Sequence, residues 1–315
     1  MKRRDDGVIL ITGGAGSIGG NLTRHLNPTG KRIVVIDNLS SGFKKNVPAS
    51  RNIVFIKGDV TKDADLKKAF SYDVSVVFHL AAHFANQNSI DHPREDLMTN
   101  ALGTLKTLEY AVKKKVGKFV YASTSCIYGD AKTVLKAEML DYKHDTPYSV
   151  SKLTGEKYVM LFHDYYRLKA CILRYFNVYG PGEYPGAYRN VIPNFFHKAM
   201  RGEPLTITGT GDETRDFTYV GDVVATTVKA AGNDRSDGQV FNVASGEETR
   251  VIDLAEKINN IAGNRAGIVY VKRRSWDRVL RRRADTAKAR HILGHKITVR
   301  IDEGLKRTYE WLKRA

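Results

Sequence analysis

Cysteine is scarce, with two in 315 residues, Cys126 and Cys171. Both sit in apolar segments, so no disulfide framework is expected and a reducing, cytoplasmic setting fits. No metal is expected either. Long apolar runs are also missing. None approaches the ~20 residues of a membrane helix, so membrane insertion is not expected. The opening stretch MKRRDDGVILITGG has too short an apolar run for a signal peptide and leads into a glycine turn. Internal repeats and low-complexity tracts are absent. Acid is in short supply: 34 Asp and Glu stand against 51 Lys and Arg, a net charge of +17. Such a charge suits a nucleic-acid binder. The basic residues are spread along the chain and carry no nucleic-acid motif, which favours an enzyme with anionic ligands. One dense run, VKRRSWDRVLRRRAD, suggests phosphate contacts.

The sequence then shows order of a particular kind. Short Val/Ile-rich runs at 8–12, 32–37, 52–59, 75–82, 118–123 and 170–177 alternate with helical patterns, notably 95–113 and 147–168. Near-continuous apolar strands separated by helices predict a parallel sheet covered on both faces. The fold class is α/β, a doubly wound Rossmann sheet with ligands at the carboxyl ends of its strands. After residue 177 the pattern changes to GPGEYPGAYRN and short mixed elements. This predicts a smaller, mixed α/β C-terminal lobe. The expected division is 1–177 with 218–244 for the first lobe, and 178–217 with 245–315 for the second.

In VILITGGAGSIGGNL, Gly13, Gly14, Gly16 and Gly19 lie between a strand and a helix. Glycines permit a tight turn and close backbone approach, and a helix N-terminus receives a pyrophosphate. Ser17 and Ile18 share that turn. Asp37 ends the second strand, where a carboxylate accepts from a ribose hydroxyl. Asn38 follows it, not Arg, which favours NAD over NADP. Asp59, with Val60 after it, is placed to meet the adenine amino group. Leu80, Ala81 and Ala82 allow the backbone to pass close to the cofactor.

TPYSVSKLTGE brings chemistry. Thr146 can cap and Pro147 can start a helix. The i,i+4 spacing then puts Tyr148 and Lys152 on one face. A neighbouring ammonium and the positive nicotinamide favour the phenolate, so Tyr148 can act as a base toward a sugar hydroxyl.

Taken together, TGGAGSIG, HLAA, STSCIYG, YSVSK, RYFNVYGPG, RDFTYVGDV and FNVASG resemble the extended short-chain dehydrogenase/reductase family, in its nucleotide-sugar epimerase/dehydratase branch. The resemblance covers nearly the whole chain. It implies bound NAD, a UDP-sugar substrate and a homodimer through two helices per subunit. By motif it implies that Thr124 contacts the reacting oxygen, with Ser123 beside it, and that Lys152 holds the nicotinamide ribose. Asn100 and Tyr175 match cofactor neighbours. Asn177, Asn190, Arg215 and Arg274 match positions near the sugar and diphosphate. Arg282, three residues before Asp285, matches a position bordering the sugar.

Family members that eliminate water carry Asp-Glu where this chain has Ser125 and Cys126, and the uronate decarboxylases carry Glu at the second. A neutral thiol replaces neither well, and Cys126 reads as a small packing residue. The reaction this leaves is 4-epimerisation, with UDP-glucose and UDP-galactose first. Alternatives are a UDP-glucuronate 4-epimerase or decarboxylase, a UDP-N-acetylglucosamine 4-epimerase, and a non-catalytic NAD-binding regulator. The run Arg281–Arg283 before Ala284-Asp285 resembles the decarboxylases.

Overall fold

The computed structural model describes residues 7–130, 133–137 and 144–315. The MKRRDD stretch lies outside the described residues. Seven parallel strands form one sheet: β1 (Val8–Thr12), β2 (Ile33–Asp37), β3 (Ile53–Lys57), β4 (Val74–His79), β5 (Lys118–Thr124), β6 (Ala170–Tyr175) and, later in the chain, β11 (Gln239–Val243). Their order is β11-β6-β5-β4-β1-β2-β3. The order reverses between β1 and β4, and ligands bind at such a switch point.

The apolar runs form strands because both faces of the sheet are buried. Ile9, Ile11, Ile33, Val35, Val120 and Ala122 enter one core, while Leu10, Val34, Ile36, Phe119 and Tyr121 enter the other. Alternation along each strand thus feeds two apolar layers, which is why no polar face shows in the sequence.

On one or other face lie α1 (Ser17–Leu26), α2 (Asp63–Ala69), α3 (Asn86–Asp91), α4 (Pro93–Leu97), α5 (Gly103–Lys113) and α6 (Pro147–Tyr166). The helix expected over 95–113 is interrupted. Met98–Leu102 form a π segment between α4 and α5, a one-turn widening that marks functional sites more often than ordinary helix. The fourth strand, expected to reach residue 82, ends at His79, because Leu80–Ala82 leave the sheet toward its carboxyl edge. The third strand likewise stops at Lys57, short of Asp59.

α6 begins as its sequence dictates. Thr146 Oγ1 accepts from the Ser149 N–H in a capping box, and Pro147 occupies the first turn. Gly155 lets this helix lie on β5. A Cβ there would stand 2.1 Å from the Tyr121 hydroxyl.

The smaller lobe is built from β7 (Val178–Tyr179), α7 (Val191–Met200), β8 (Leu205–Thr208), β9 (Thr214–Arg215), β10 (Thr218–Tyr219), β12 (Thr249–Arg250), α9 (Val251–Ala262), β13 (Ile268–Val271) and α11 (Ile301–Leu312). α8 (Val220–Ala231) and α10 (Ala287–Leu293) return to the main sheet, against α1 and β11. Ile192, Phe195, Phe196, Leu205, Leu254, Ile258 and Leu305 give the lobe its own apolar core. Among the described residues no helix is long and apolar enough to cross a membrane.

Candidate active site

A cleft of about 510 Å³ opens along the carboxyl edge of the sheet, between it and the smaller lobe. Its first end is made of backbone. Gly16, Ser17, Ile18 and Gly19, at the start of α1, line it together with Leu80 and Ala82. The turn has no room for side chains. A Cβ on Gly13 would lie 2.6 Å from the Ala81 nitrogen, and one on Gly19 would lie 2.4 Å from the Gly13 carbonyl oxygen. No side chain caps α1, so its first-turn N–H groups remain for an anion. Asp37 braces the turn: its carboxylate accepts from the Ala15 N–H at 2.9 Å and the Leu39 N–H at 2.8 Å. Burial pushes its carboxyl upward, against those two bonds. Asn38 donates to Asp59 at 3.0 Å. These three polar residues, with Gly13, Val60, Ala81 and Asn100, are not part of the cleft wall itself. Gly13 and Ala81 touch each other beneath it, and Val60 packs against Gly103.

At the middle of the cleft β5 ends in Ser123 and Thr124, facing Tyr148 and Lys152 of α6, with Tyr175 at the end of β6. Thr124 Oγ1 accepts from the Cys126 N–H at 3.1 Å. Ser123 donates to Glu156 at 2.5 Å, and Glu156 is held by the guanidinium of Arg174 at 2.9 and 2.7 Å. Tyr175 bonds Thr227 at 2.8 Å, which fixes its ring.

Tyr148 and Lys152 are both buried. Burial lowers the Lys152 ammonium to about 7, while Glu156 and Asp96 pull it back up. The phenol of Tyr148 is pushed upward, first by burial and then by Cys126 and Asp96, with Thr124 opposing. The protein's own groups therefore keep Tyr148 a neutral phenol. Burial is the largest cause, so of the two charges expected to favour the phenolate the positive nicotinamide carries the greater share.

The far wall comes from the smaller lobe and from Asn177 just before it. Asn177, Asn190, Arg215, Arg274 and Arg282 all line it, together with Glu183, Tyr188, Trp276 and Asp277. Asn177 adopts a left-handed backbone (φ 29°), and its side-chain oxygen is buried with no partner among the described residues. Asn190 sits before α7 and donates to Glu183 at 2.9 Å. Arg215 bonds Asp277 at 3.4 Å. Arg274 lies over the Trp276 ring, whose N–H reaches Gln87 at 2.8 Å.

The basic run is split by the fold. Arg281 is exposed and pairs with Glu248, and Arg283 donates to the Gly246 carbonyl. Arg282 turns inward and is 6% exposed. It donates to the Gly129 carbonyl at 3.1 Å and to Cys126 Sγ at 3.7 Å, and its Nε is buried without a partner among the described residues. Cys126 is thus a cleft residue beside a guanidinium, not the packing residue expected. Phe84, Asn86, Gln87 and Trp276 also face the cleft. No residue pattern singles them out, because they are ordinary side chains on loops and at the start of α3.

A Rossmann sheet with this glycine cradle and a Thr–Tyr–Lys face defines a nucleotide-dependent oxidoreductase-type site. Residues 9–244 match the NAD dependent epimerase/dehydratase family, and the chain belongs to it. The cofactor of the family is NAD, and the side-chain-free cradle with its brace at Asp37 fits it. Among solved structures, an epimerase of Methanothermobacter thermautotrophicus is 46% identical, with a TM-score of 0.97 over 98% of this chain and 93% of that one. The UDP-glucose 4-epimerase of Thermotoga maritima, solved with UDP-glucose, is 35% identical, with a TM-score of 0.93 over 98% and 99%. A UDP-N-acetyl-α-D-glucosaminuronate decarboxylase of Bacillus cytotoxicus is 31% identical over 99% of this chain and 98% of its own. The chain is thereby placed among NAD-dependent nucleotide-sugar enzymes.

Proposed function

We propose that this protein interconverts the C4 epimers of a UDP-sugar, with UDP-glucose and UDP-galactose as the first pair. The observation that carries the reading is the grouping of Thr124, Tyr148 and Lys152 at the end of β5, with a hydroxyl and a thiol at the next two positions. NAD supplies the chemistry that takes hydrogen with its electron pair from the sugar C4 and gives it back. Tyr148 takes the O4 proton and later returns it. Thr124 bonds the same oxygen. Lys152 holds the ribose and supports the phenolate. Between the two transfers the 4-keto sugar presents its other face, so the product differs only at C4.

The remaining roles follow the cleft. Gly13 to Gly19 and Asp37 would receive the cofactor pyrophosphate and ribose, and Asn38, Asp59 and Val60 its adenine end. Leu80, Ala81, Ala82, Asn100, Ser123 and Tyr175 would border or support the nicotinamide side. Asn177, Asn190, Arg215 and Arg274 would hold the sugar diphosphate. On this division 1–177 and 218–244 carry NAD, and 178–217 and 245–315 carry the sugar nucleotide. A homodimer is proposed through α4–α5 and α6, whose Leu97, Met98, Val150, Leu161 and Tyr165 are exposed. Sedimentation of the wild type should give twice the chain mass.

A second reading concerns the sugar. The unspent Nε of Arg282 beside a small thiol favours a carboxylate at C6, hence 4-epimerisation of UDP-glucuronate. Incubation with UDP-glucose, UDP-N-acetylglucosamine and UDP-glucuronate, without added cofactor, tests both. NMR should find a C4 epimer from at least one. A pentose from UDP-glucuronate would overturn the epimerase in favour of a decarboxylase.

A further inference from the structure

Behind Lys152 lies a polar knot whose acid the reaction above does not use. Asp96, on α4, is fully buried. One carboxylate oxygen accepts from Asn100 Nδ2 at 2.8 Å and the other from the Ser151 hydroxyl at 2.5 Å. Asn100 Nδ2 also reaches Ser151 Oγ at 3.1 Å. The side-chain oxygen of Asn100 accepts from the His83 N–H at 2.9 Å. Asn100 lies within the π segment Met98–Leu102, Ser151 precedes Lys152 on α6, and His83 follows the cleft residue Ala82. One amide and one carboxylate therefore join three elements at the back of the site. The chain continues: the Asn100 carbonyl accepts from Thr104, whose hydroxyl bonds His79, which bonds Thr12, and Thr12 accepts from the Ala81 N–H.

The charges around Lys152 are few. Glu156, on its own helix, is already committed to Arg174 of β6 and to Ser123. From β4, His79 faces it. Burial and the Lys152 charge hold that imidazole down at about 3, so it is neutral. From β5 comes only the ring of Tyr121, 4.2 Å from Nζ, and from α6 the phenol of Tyr148. Asp96 faces Tyr121, Tyr148, Asn100 and Ser151, and none of these is a cation.

We propose that Asp96 is a positioning residue that locks Asn100 and Ser151 in place and, second to Glu156, adds the negative charge that keeps Lys152 protonated. This rests on the reading of Tyr148 and Lys152 as the reacting pair. Burial raises the Asp96 carboxyl to about 6, with Ser151, Lys152 and Asn100 opposing. Above that value the carboxylate is charged, and its field adds to that of Glu156 at Lys152 in a low-dielectric setting. Removing the charge lowers the Lys152 ammonium further, and each unit is a tenfold loss of the protonated form at high pH.

The test titrates lysine in the NAD-bound enzyme by NMR of ¹³C-ε-labelled lysine, with Lys152 assigned by Lys152→Arg. Asp96→Asn should move its midpoint down by about one unit or more. The alkaline limb of kcat/KM should move the same way, with KM nearly unchanged. Ser151→Ala removes a hydrogen bond but no charge, and should leave the midpoint in place. If both variants lower thermal stability while the Lys152 midpoint stays fixed, Asp96 is structural only and the proposal falls. Where Asp96→Asn does not fold, the wild type decides: an Asp96 carboxyl that stays protonated at pH 8 overturns the counter-charge. The lysine titration needs no sugar, so it stands even if no UDP-sugar is turned over.

Discussion

The wall of the cleft that carries Thr124, Tyr148 and Lys152 is backed by a closed ion pair, and the wall that carries Asn190 is backed by a lone buried acid. Behind the first, Glu156 and Arg174 are 4% and 2% exposed and meet through two parallel bonds. Arg174 also reaches the Tyr128 hydroxyl and the Ala137 carbonyl. Behind the second, Glu183 accepts from the N–H and side-chain amide of Asn190. No cation stands within ion-pair distance of it among the described residues. Burial pushes its carboxyl up to about 7, with Asn190 and Arg189 opposing. A doubly bonded pair is held in one geometry by its own partner. A lone buried acid titrates at about 7. The reacting wall is built to stay fixed, and the substrate wall is built to be adjustable.

Breaking the reacting wall gives the largest effects. Tyr148→Phe removes only the base oxygen and should cut kcat by ~10²–10⁴-fold while NAD stays bound, as turnover and released cofactor will report. Glu156→Gln removes the carboxylate charge that meets the buried Arg174 guanidinium through two bonds. It should cost ~3–5 kcal/mol in denaturant unfolding, far more than Glu183→Gln on the other wall.

Changes to the substrate wall should be smaller and selective. Arg282→Ser should shift the ratio of rates on UDP-glucuronate and UDP-glucose by about tenfold, in line with ~1.5–3 kcal/mol for a charge-assisted contact. Arg281→Ser, on the exposed side of the same run, should leave the ratio alone. Equal ratios in both variants would leave Arg282 as a structural contact to the Gly129 carbonyl with no part in choosing the sugar. The smallest effect is on pH. The Glu183 carboxyl is raised on folding, so its share of stability is full below about 4.5, the unfolded value, and is lost as pH rises through about 7. Thermal melts of the wild type should fall over that window, and Glu183→Gln should flatten the fall.

Much of the first wall was legible because it is written locally. The glycine turn, Asp37 at the end of β2 and the Thr146-Pro147 start of α6 are each a few residues long. The i,i+4 rule then pairs Tyr148 with Lys152. The second wall is written across the chain. Which arginine of Arg281–Arg283 turns inward depends on Thr214 bonding the Leu280 carbonyl, Leu135 bonding the Arg283 carbonyl and Ala284 bonding Asp216. Those partners are 66 to 148 residues away, and no local pattern encodes them. The Glu156–Arg174 pair and the π segment around Asn100 were hidden for the same reason. A buried ion and a solvated one look alike until the neighbours are known.

The central claim is that hydrogen leaves C4 of a UDP-sugar and returns to the same carbon without exchange. Turnover in D₂O, followed by proton NMR of the product, tests it most directly. The account predicts a C4 epimer that keeps protium at C4, formed without added cofactor. Deuterium at C4, or a pentose product carrying deuterium at C5, would contradict it.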